Sequence, residues 1–364
     1  MVLTDLQKSI KRSIEVASRG AQTALFTPKG QLCVMNVYKK LRMVDINPEF
    51  SQSIHPAFIE DNIVHDEILI ATYPTSIVGG ELVSQPNRDP WNIYGNYMDP
   101  FSERVRIEKT LVDQSSDEYF WYTMDQPEFN LVSGTVNSLI DQVTESNYPL
   151  DGIPTLSGHV VTGSNSVRTN VDGKYNGLTN LTQRFWQWGR MVRLVCSDNM
   201  GSNGTPTGME IQVYVGDRKT LMSMDSTRVR GDISLWKAIH KRTGALITPT
   251  YSGEYVQSDY VATTPNALRI NVADGLRSGA YAEAVQGLPT PVVDAINKYI
   301  LVSPKTKLYD PILYNWVSLP VEAMNAGGYM CWGNGGLHVN AFVNFTEYSS
   351  GSHRIVARKI IQSQ

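Results

Sequence analysis

The chain has 364 residues, enough for one large β domain or two ordinary domains and for a sizeable buried core. Charged residues make up only 18% against 41% hydrophobic, and a formal net charge of −3 excludes a chain-wide attraction to nucleic acid. Asn, Ser, Thr, Gln and Gly fill the gap, giving a polar, weakly charged surface suited to extensive protein–protein contact or long ordered loops.

Residues 1–22 read as an amphipathic arm. Thr4-Asp5-Leu6-Gln7 fits a capping box, in which the Thr hydroxyl and the Gln side chain satisfy free amides of the first turn. Leu6, Ile10, Ile14 and Ala17 follow at helical spacing, and Gly20 is a plausible stop. The opposite face carries Lys8, Lys11, Arg12 and Arg19 against Asp5 and Glu15. Two readings fit this face: contact with phosphates of a genome, or a solvated helix packed on the body. The modest basicity favours the second.

From Gln31 to Ile140 the pattern predicts mostly strands, at Gln31–Tyr38, Glu67–Tyr73, Arg104–Val112 and Tyr119–Met124. Arg104-Val105-Arg106-Ile107-Glu108 alternates with period two. Val132, Val136, Ile140 and Val143 recur every three or four residues, as in a short helix. Residues 145–182 carry Pro, Gly, Asn and Ser clusters and are expected as a long surface loop. The two tryptophans of Arg184-Phe185-Trp186-Gln187-Trp188 are expected in the core or at a subunit contact rather than stacked on a base.

Two strands follow, joined by the glycine-rich connection Ser197–Gly208. Arg190–Cys196 is largely apolar. In Met209–Val215 the odd positions are apolar while Glu210, Gln212 and Tyr214 point the other way, which predicts one buried and one wet face. Asp232 as N-cap, with Leu235, Trp236 and Ile239, predicts a short helix ending near Gly244. Ala267–Ala273 reads as a strand. Thr290 as cap, Pro291 at the first helical position, and Val292, Ile296, Tyr299 and Ile300 on one face predict a second helix. The C-terminus reads as a meander: Gly328–Trp332, a turn at Gly333-Asn334-Gly335-Gly336, alternation from Val339 to Phe345, and a closing strand over Arg354–Ile361. No βαβ rhythm is present, so the fold class expected is all-β, a sandwich or jelly roll.

Arg193-Leu194-Val195 followed by Pro206-Thr207-Gly208-Met209-Glu210-Ile211-Gln212-Val213-Tyr214-Val215 resembles late strands of the jelly-roll capsid proteins of small non-enveloped icosahedral viruses, the picorna-like group in particular. That resemblance implies a viral-type jelly-roll domain over 23–364, with large surface loops at about 74–100, 145–182 and 245–330. It implies a structural subunit of a virion, not an enzyme. Its partners would be copies of itself or related subunits, a genome on the inner face and a host receptor on the outer loops. Such insertions also look like parvoviruses and densoviruses, although the glycine-rich N-terminal tract of that group is missing. Two other classes share the composition. One is a phage tail or receptor-binding β protein. The other is a carbohydrate-binding sandwich or hydrolase using Trp91, Tyr94, Trp121 and Trp332.

Signatures of chemistry are sparse: there is no GxGxxG, Walker loop, HExxH or GxSxG. In the cluster Glu60, Asp61, His65, Asp66 and Glu67, the four carboxylates Glu60, Asp61, Asp66 and Glu67 could supply oxygens to a divalent cation such as Ca2+ at a subunit interface, or be solvated on a turn. Asp172-Gly173-Lys174-Tyr175-Asn176-Gly177 lacks EF-hand spacing and reads as a turn. Arg230-Gly231-Asp232 is an RGD tripeptide that could serve adhesion, although Asp232 also fits as a cap. If several of the scattered histidines lined an interface, protonation near pH 6 would loosen it. Cys33, Cys196 and Cys331 give no CxxC pair and are expected as buried free thiols. With no apolar leader and no apolar run of about 18 residues, neither a signal peptide nor a membrane span is expected.

Overall fold

The fold comes from a computed structural model that describes residues 3–86, 88, 100–132, 152–154, 160–162, 186–196, 208–223, 233–252, 261–270, 272–277, 279–300, 312–316, 328–332, 339–342 and 351–361. It is mostly strands in antiparallel sheets with few helices.

The N-terminal helix, Asp5–Ala17, starts as its capping box dictates. The Gln7 amide donates to Thr4 Oγ1 at 3.2 Å and the Thr4 amide to Gln7 Oε1 at 2.8 Å. Arg19 and Gly20 take positive φ and end it. The helix lies against the strand Gln22–Phe26, where Thr23 Oγ1 donates to Glu15 Oε1 at 2.7 Å.

A five-stranded sheet follows in the order Gln22–Phe26, Leu32–Lys39, Glu67–Ala71, Ile355–Lys359, Tyr119–Thr123, antiparallel throughout. The last strand of the chain thus enters between two early ones. Its residues Ile355 and Ala357 lie opposite Thr123 and Trp121. A ten-stranded sheet is built around Trp186–Cys196, flanked by Met209–Tyr214 and Gly328–Trp332. Gly328–Trp332 then pairs antiparallel with Val339–Phe342, but the expected meander ends there: Val339–Phe342 pairs in parallel with Ile312–Trp316, and the closing strand Ile355–Lys359 joins the other sheet.

Side chains alternate across each strand, and both faces of the five-stranded sheet use this. Ile68, Ile70, Phe120, Tyr122 and Val356 face the ten-stranded sheet and meet Val192, Ile211, Val213 and Ile239. Leu69, Ala71, Trp121, Ile355 and Ala357 face away and meet Leu82, Val83, Ile107 and Leu111. The smaller sheet is therefore the middle of three layers, with the larger sheet on one side and the helix Pro100–Gln114 plus the hairpin Ser76–Val83 on the other.

Several expectations are corrected. Arg104–Val112 is not a strand but part of the helix Pro100–Gln114. Its buried residues Ile107, Glu108, Leu111 and Gln114 recur at helical spacing, and the period-two run at 104–108 is too short to outweigh it. Asp232–Gly244 is not a helix: a single turn, Ile233–Leu235, leads into the strand Trp236–Ile239. Strand pairing on both sides, to Met209–Tyr214 and to Leu246–Ile247, overrides the local spacing. The strand expected at Ala267–Ala273 shortens to Arg269–Ile270. The spans 74–100 and 245–330 are not only surface loops. Leu82 and Val83 come from the first, and Leu268, Ile270 and the helix Thr290–Tyr299 from the second, and all of these enter the core. In that helix Pro289, rather than Thr290, takes the cap position.

Gly244 shows how tightly these layers meet. Its φ is +67°, and a Cβ there would stand 2.0 Å from the Pro291 carbonyl oxygen. Gly244→Ala is expected to destabilise the protein by about 2 kcal/mol or more, combining left-handed backbone strain with a backbone clash. Thermal unfolding of the variant checks this, and an unchanged midpoint would contradict the packing of this turn on the helix.

Candidate functional site

Charged side chains are rarely buried unless paired. Among the described residues, the most densely connected group of them lies between the two sheets. Tyr122 and Arg358 come from neighbouring strands of the five-stranded sheet. Glu128 sits a few residues past Tyr119–Thr123, its Oε2 accepting from the Asp125 amide at 3.1 Å. Glu60 ends the first arm of a hairpin whose two turn residues, Asp61 and Asn62, both take positive φ, as a two-residue turn of this kind requires. Arg218 opens the helix Arg218–Ser223 just after the strand Met209–Tyr214 of the other sheet. Asp217 caps that helix, accepting from the Thr220 amide at 2.8 Å.

Glu128 Oε1 collects three donors: Arg218 Nη2, Arg358 Nη2 at 2.8 Å and Tyr122 OH at 3.2 Å. Arg358 also donates to Tyr122 OH and to the Ala57 carbonyl. Glu60 Oε1 accepts from the Arg218 amide at 2.8 Å, and its Oε2 lies 3.7 Å from Arg358 Nη1 and 3.9 Å from Arg218 Nη1. The Arg218 guanidinium stacks 4.8 Å over the Tyr122 ring. Two cations thus meet two carboxylates. Burial pushes the Glu60 carboxyl up, but Arg218 and Arg358 more than offset that and hold it below the usual range. Burial drives the Tyr122 phenol far up, and it stays neutral. His65, with Nε2 at 3.9 Å from Glu60, is pushed down to about 4 by burial and by Arg358. This constellation joins residues of one sheet to the helix that follows a strand of the other: its charges are compensated, although Arg218 Nε and Nη1 and Arg358 Nη1 are buried without a hydrogen-bond partner.

A second polar cluster lies on the far face of the ten-stranded sheet. The expected wet face of Met209–Val215 is a correction: Glu210, Gln212 and Tyr214 are buried. Thr264 and Tyr251 reach the first two, and Tyr214 packs edge-on against Trp236 with ring centroids 5.3 Å apart. Thr264 Oγ1 donates to Glu210 Oε1 at 2.8 Å, and Tyr251 OH donates to Gln212 Oε1 at 2.9 Å. Arg193 Nε donates to the same Gln212 oxygen at 2.9 Å, and its guanidinium lies 4.2 Å over Trp236. Burial raises the Glu210 carboxyl, against hydrogen bonds from Gln212 and Thr264 that lower it.

The sequence-derived site residues are scattered by comparison. Of the acidic group, Glu60 turns inward to the arginines. Asp66 pairs with Lys40 at 2.6 Å, Glu67 pairs with Lys39, and Asp61 forms the hairpin turn. These carboxylates do not converge, and among the described residues no three His, Cys, Asp or Glu side chains are grouped to hold a metal ion. Lys8 and Lys11 pair with Asp5 at 3.2 Å and Glu15 at 4.0 Å, while Arg12 on the same helix and Arg19 just past its end are exposed. Arg230, Gly231 and Asp232 lie outside the described residues, as do His338 and the segment Asp172–Gly177. His55, His65 and His353 are buried within the chain rather than displayed on its surface. Cys33 is a buried free thiol, pushed up to about 12 by burial. Trp121 is buried in the core. Among the described residues no helix is long and apolar enough to cross a membrane.

Glu128, Arg218 and Arg358 were missed from sequence. The one local signal is Asp217-Arg218 at a helix start, and nothing local links it to residues 60, 128 or 358. No family model matches this chain, and no curated protein does.

Proposed function

We propose that the chain is a structural subunit of a non-enveloped viral shell, its core a jelly-roll-type sandwich. The observation that supports this best is the return of the last strand, Ile355–Lys359, to a place between Glu67–Ala71 and Tyr119–Thr123. A wound antiparallel sandwich brings distant strands together in this way. Face-to-face packing of the two sheets through Ile68, Ile70, Val192 and Ile211 agrees with it. The function is mechanical: many copies close a shell through repeated contacts, the outer loops meet a host receptor and the inner face meets the genome.

Negative-stain imaging of the purified chain tests this. Closed isometric particles are expected. Trimers or rings would turn the assignment to a phage-tail or receptor-binding protein.

A further inference from the structure

The N-terminal helix Asp5–Ala17 buries none of its residues, although Leu6, Ile10, Ile14 and Ala17 recur at helical spacing. One side holds it to the body. There Glu15 Oε1 accepts from Thr23 Oγ1 at 2.7 Å, and Gln7 lies beside Gly30, where a Cβ would stand 3.3 Å from its Nε2. Leu6 and Glu15 are about two and a half turns apart, so Leu6 faces away from the strand that Glu15 meets. Leu6 is 70% exposed, and so is Val16. Ser9, Ser13, Val16 and Ala17 fall within about 80° of Leu6 around the axis, and all four are exposed. The Ser13 hydroxyl donates back to the Ser9 carbonyl at 2.9 Å. The outward strip thus carries apolar or small side chains only.

Positive charge edges this strip. The two carboxylates of the helix are already answered, Asp5 by Lys8 at 3.2 Å and Glu15 by Lys11 at 4.0 Å. Arg12, beside Val16 on the helix surface, and Arg19, just past the helix end, are exposed and pair with no carboxylate among the described residues. Size argues against a protein partner. The strip is about 20 Å long and about 10 Å wide, on the order of 200 Å². A stable protein interface takes ~800 Å² from each side. A bilayer sets no such threshold. It takes up single apolar side chains without shape complementarity, and anionic headgroups complement the two arginines.

We propose that the outward side of this helix binds an anionic lipid surface, lying in the plane of the interface with Leu6 and Val16 inserted and Arg12 and Arg19 among the headgroups. The capping box of Thr4 and Gln7 keeps the first turn formed on the lipid as it does in water. Binding of a single copy is weak and reversible, because only two large apolar side chains enter. The proposal does not rest on shell assembly, since one copy carries the whole strip.

The experiment floats the full chain on a density gradient with extruded vesicles, either phosphatidylcholine alone or phosphatidylcholine and phosphatidylserine in a roughly two-to-one ratio. Co-flotation with the mixed vesicles is expected, declining as salt rises, with far less on phosphatidylcholine alone. Leu6→Ser with Val16→Ser should weaken partitioning on the order of ten-fold or more. Arg12→Gln with Arg19→Asn should weaken it roughly ten-fold and erase the preference for the mixed vesicles. Asn tolerates the positive φ found at Arg19. All four positions are exposed, so circular dichroism should show an intact fold. Val215→Ser, an exposed apolar position beside the ten-stranded sheet, should change nothing. Three results would overturn the proposal: no co-flotation, equal flotation with both vesicles, or partitioning indifferent to the Leu6 and Val16 pair. A fall in assembled mass of the Leu6 and Val16 variant without vesicles would also overturn it, by placing a second copy on the strip.

Discussion

Glu128→Ala is expected to lower the unfolding free energy by about 3–5 kcal/mol, because it strips Arg218, Arg358 and Tyr122 of their shared acceptor and leaves two buried guanidinium groups without their nearest carboxylate. Urea denaturation reads this as a fall in midpoint with little change in slope. Most of the loss belongs to the stranded charges rather than to the pair itself. Glu128→Leu combined with Arg358→Met should therefore be less damaging than Glu128→Ala, since one buried cation leaves with its partner. Asp66→Asn, which breaks only the exposed pair with Lys40, should leave the midpoint where it was. A small effect of Glu128→Ala would mean that the sheets are held by apolar packing alone and that the cluster is incidental.

Acidification is expected to destabilise the fold well above the carboxylate range, and His55 is the reason. Its ring is fully buried, with Nδ1 accepting from the Ala57 amide at 3.2 Å in a helical turn that begins at Pro56. Burial, and then the charge of Lys298, push it down to about 3. In the unfolded chain the imidazole takes its proton near pH 6.5. Between the two values the unfolded state binds the extra proton, so the stability conferred by neutral His55 is complete above pH 6.5 and drains away as pH falls. The slope is about 1.4 kcal/mol per pH unit, or about 2 kcal/mol between pH 6.5 and 5. His65, pushed down to about 4, acts with the same sign over pH 6.5 to 4. Asparagine can cap the turn as histidine does but cannot be protonated. His55→Asn should therefore flatten the decline by about one group's share. Parallel stability curves for the two proteins would remove His55 as the cause. These three residues are not expected to loosen a surface contact near pH 6, because His55, His65 and His353 lie inside the folded chain.

What the sequence made legible was local. The Thr4 capping box, the strands at 32–39, 67–71, 119–123 and 209–214, the helix at 290–299 and the pair at 328–342 each carry their signal within a few residues. Errors arose where a neighbour decides. Five residues of alternation at Arg104–Glu108 gave way to a helix lying under Leu69 and Trp121. Trp236 and Ile239 share a helical spacing but are claimed by strands on both sides. Glu210 and Gln212 read as wet because polar residues usually are, and the Tyr251 and Thr264 that cover them lie some forty to fifty positions on. The charge cluster was invisible for the same reason. Charged residues carry a surface expectation, and residues 60, 128, 218 and 358 meet only once two sheets and the C-terminal strand are in place.

The assembled mass of the purified full chain, followed by multi-angle light scattering across salt and pH, tests the proposed shell role most directly. A closed assembly of tens of subunits, with little material between it and the free subunit, is the result expected of a wound sandwich that packs into a shell. A monomer or dimer that persists at every salt and pH would contradict it.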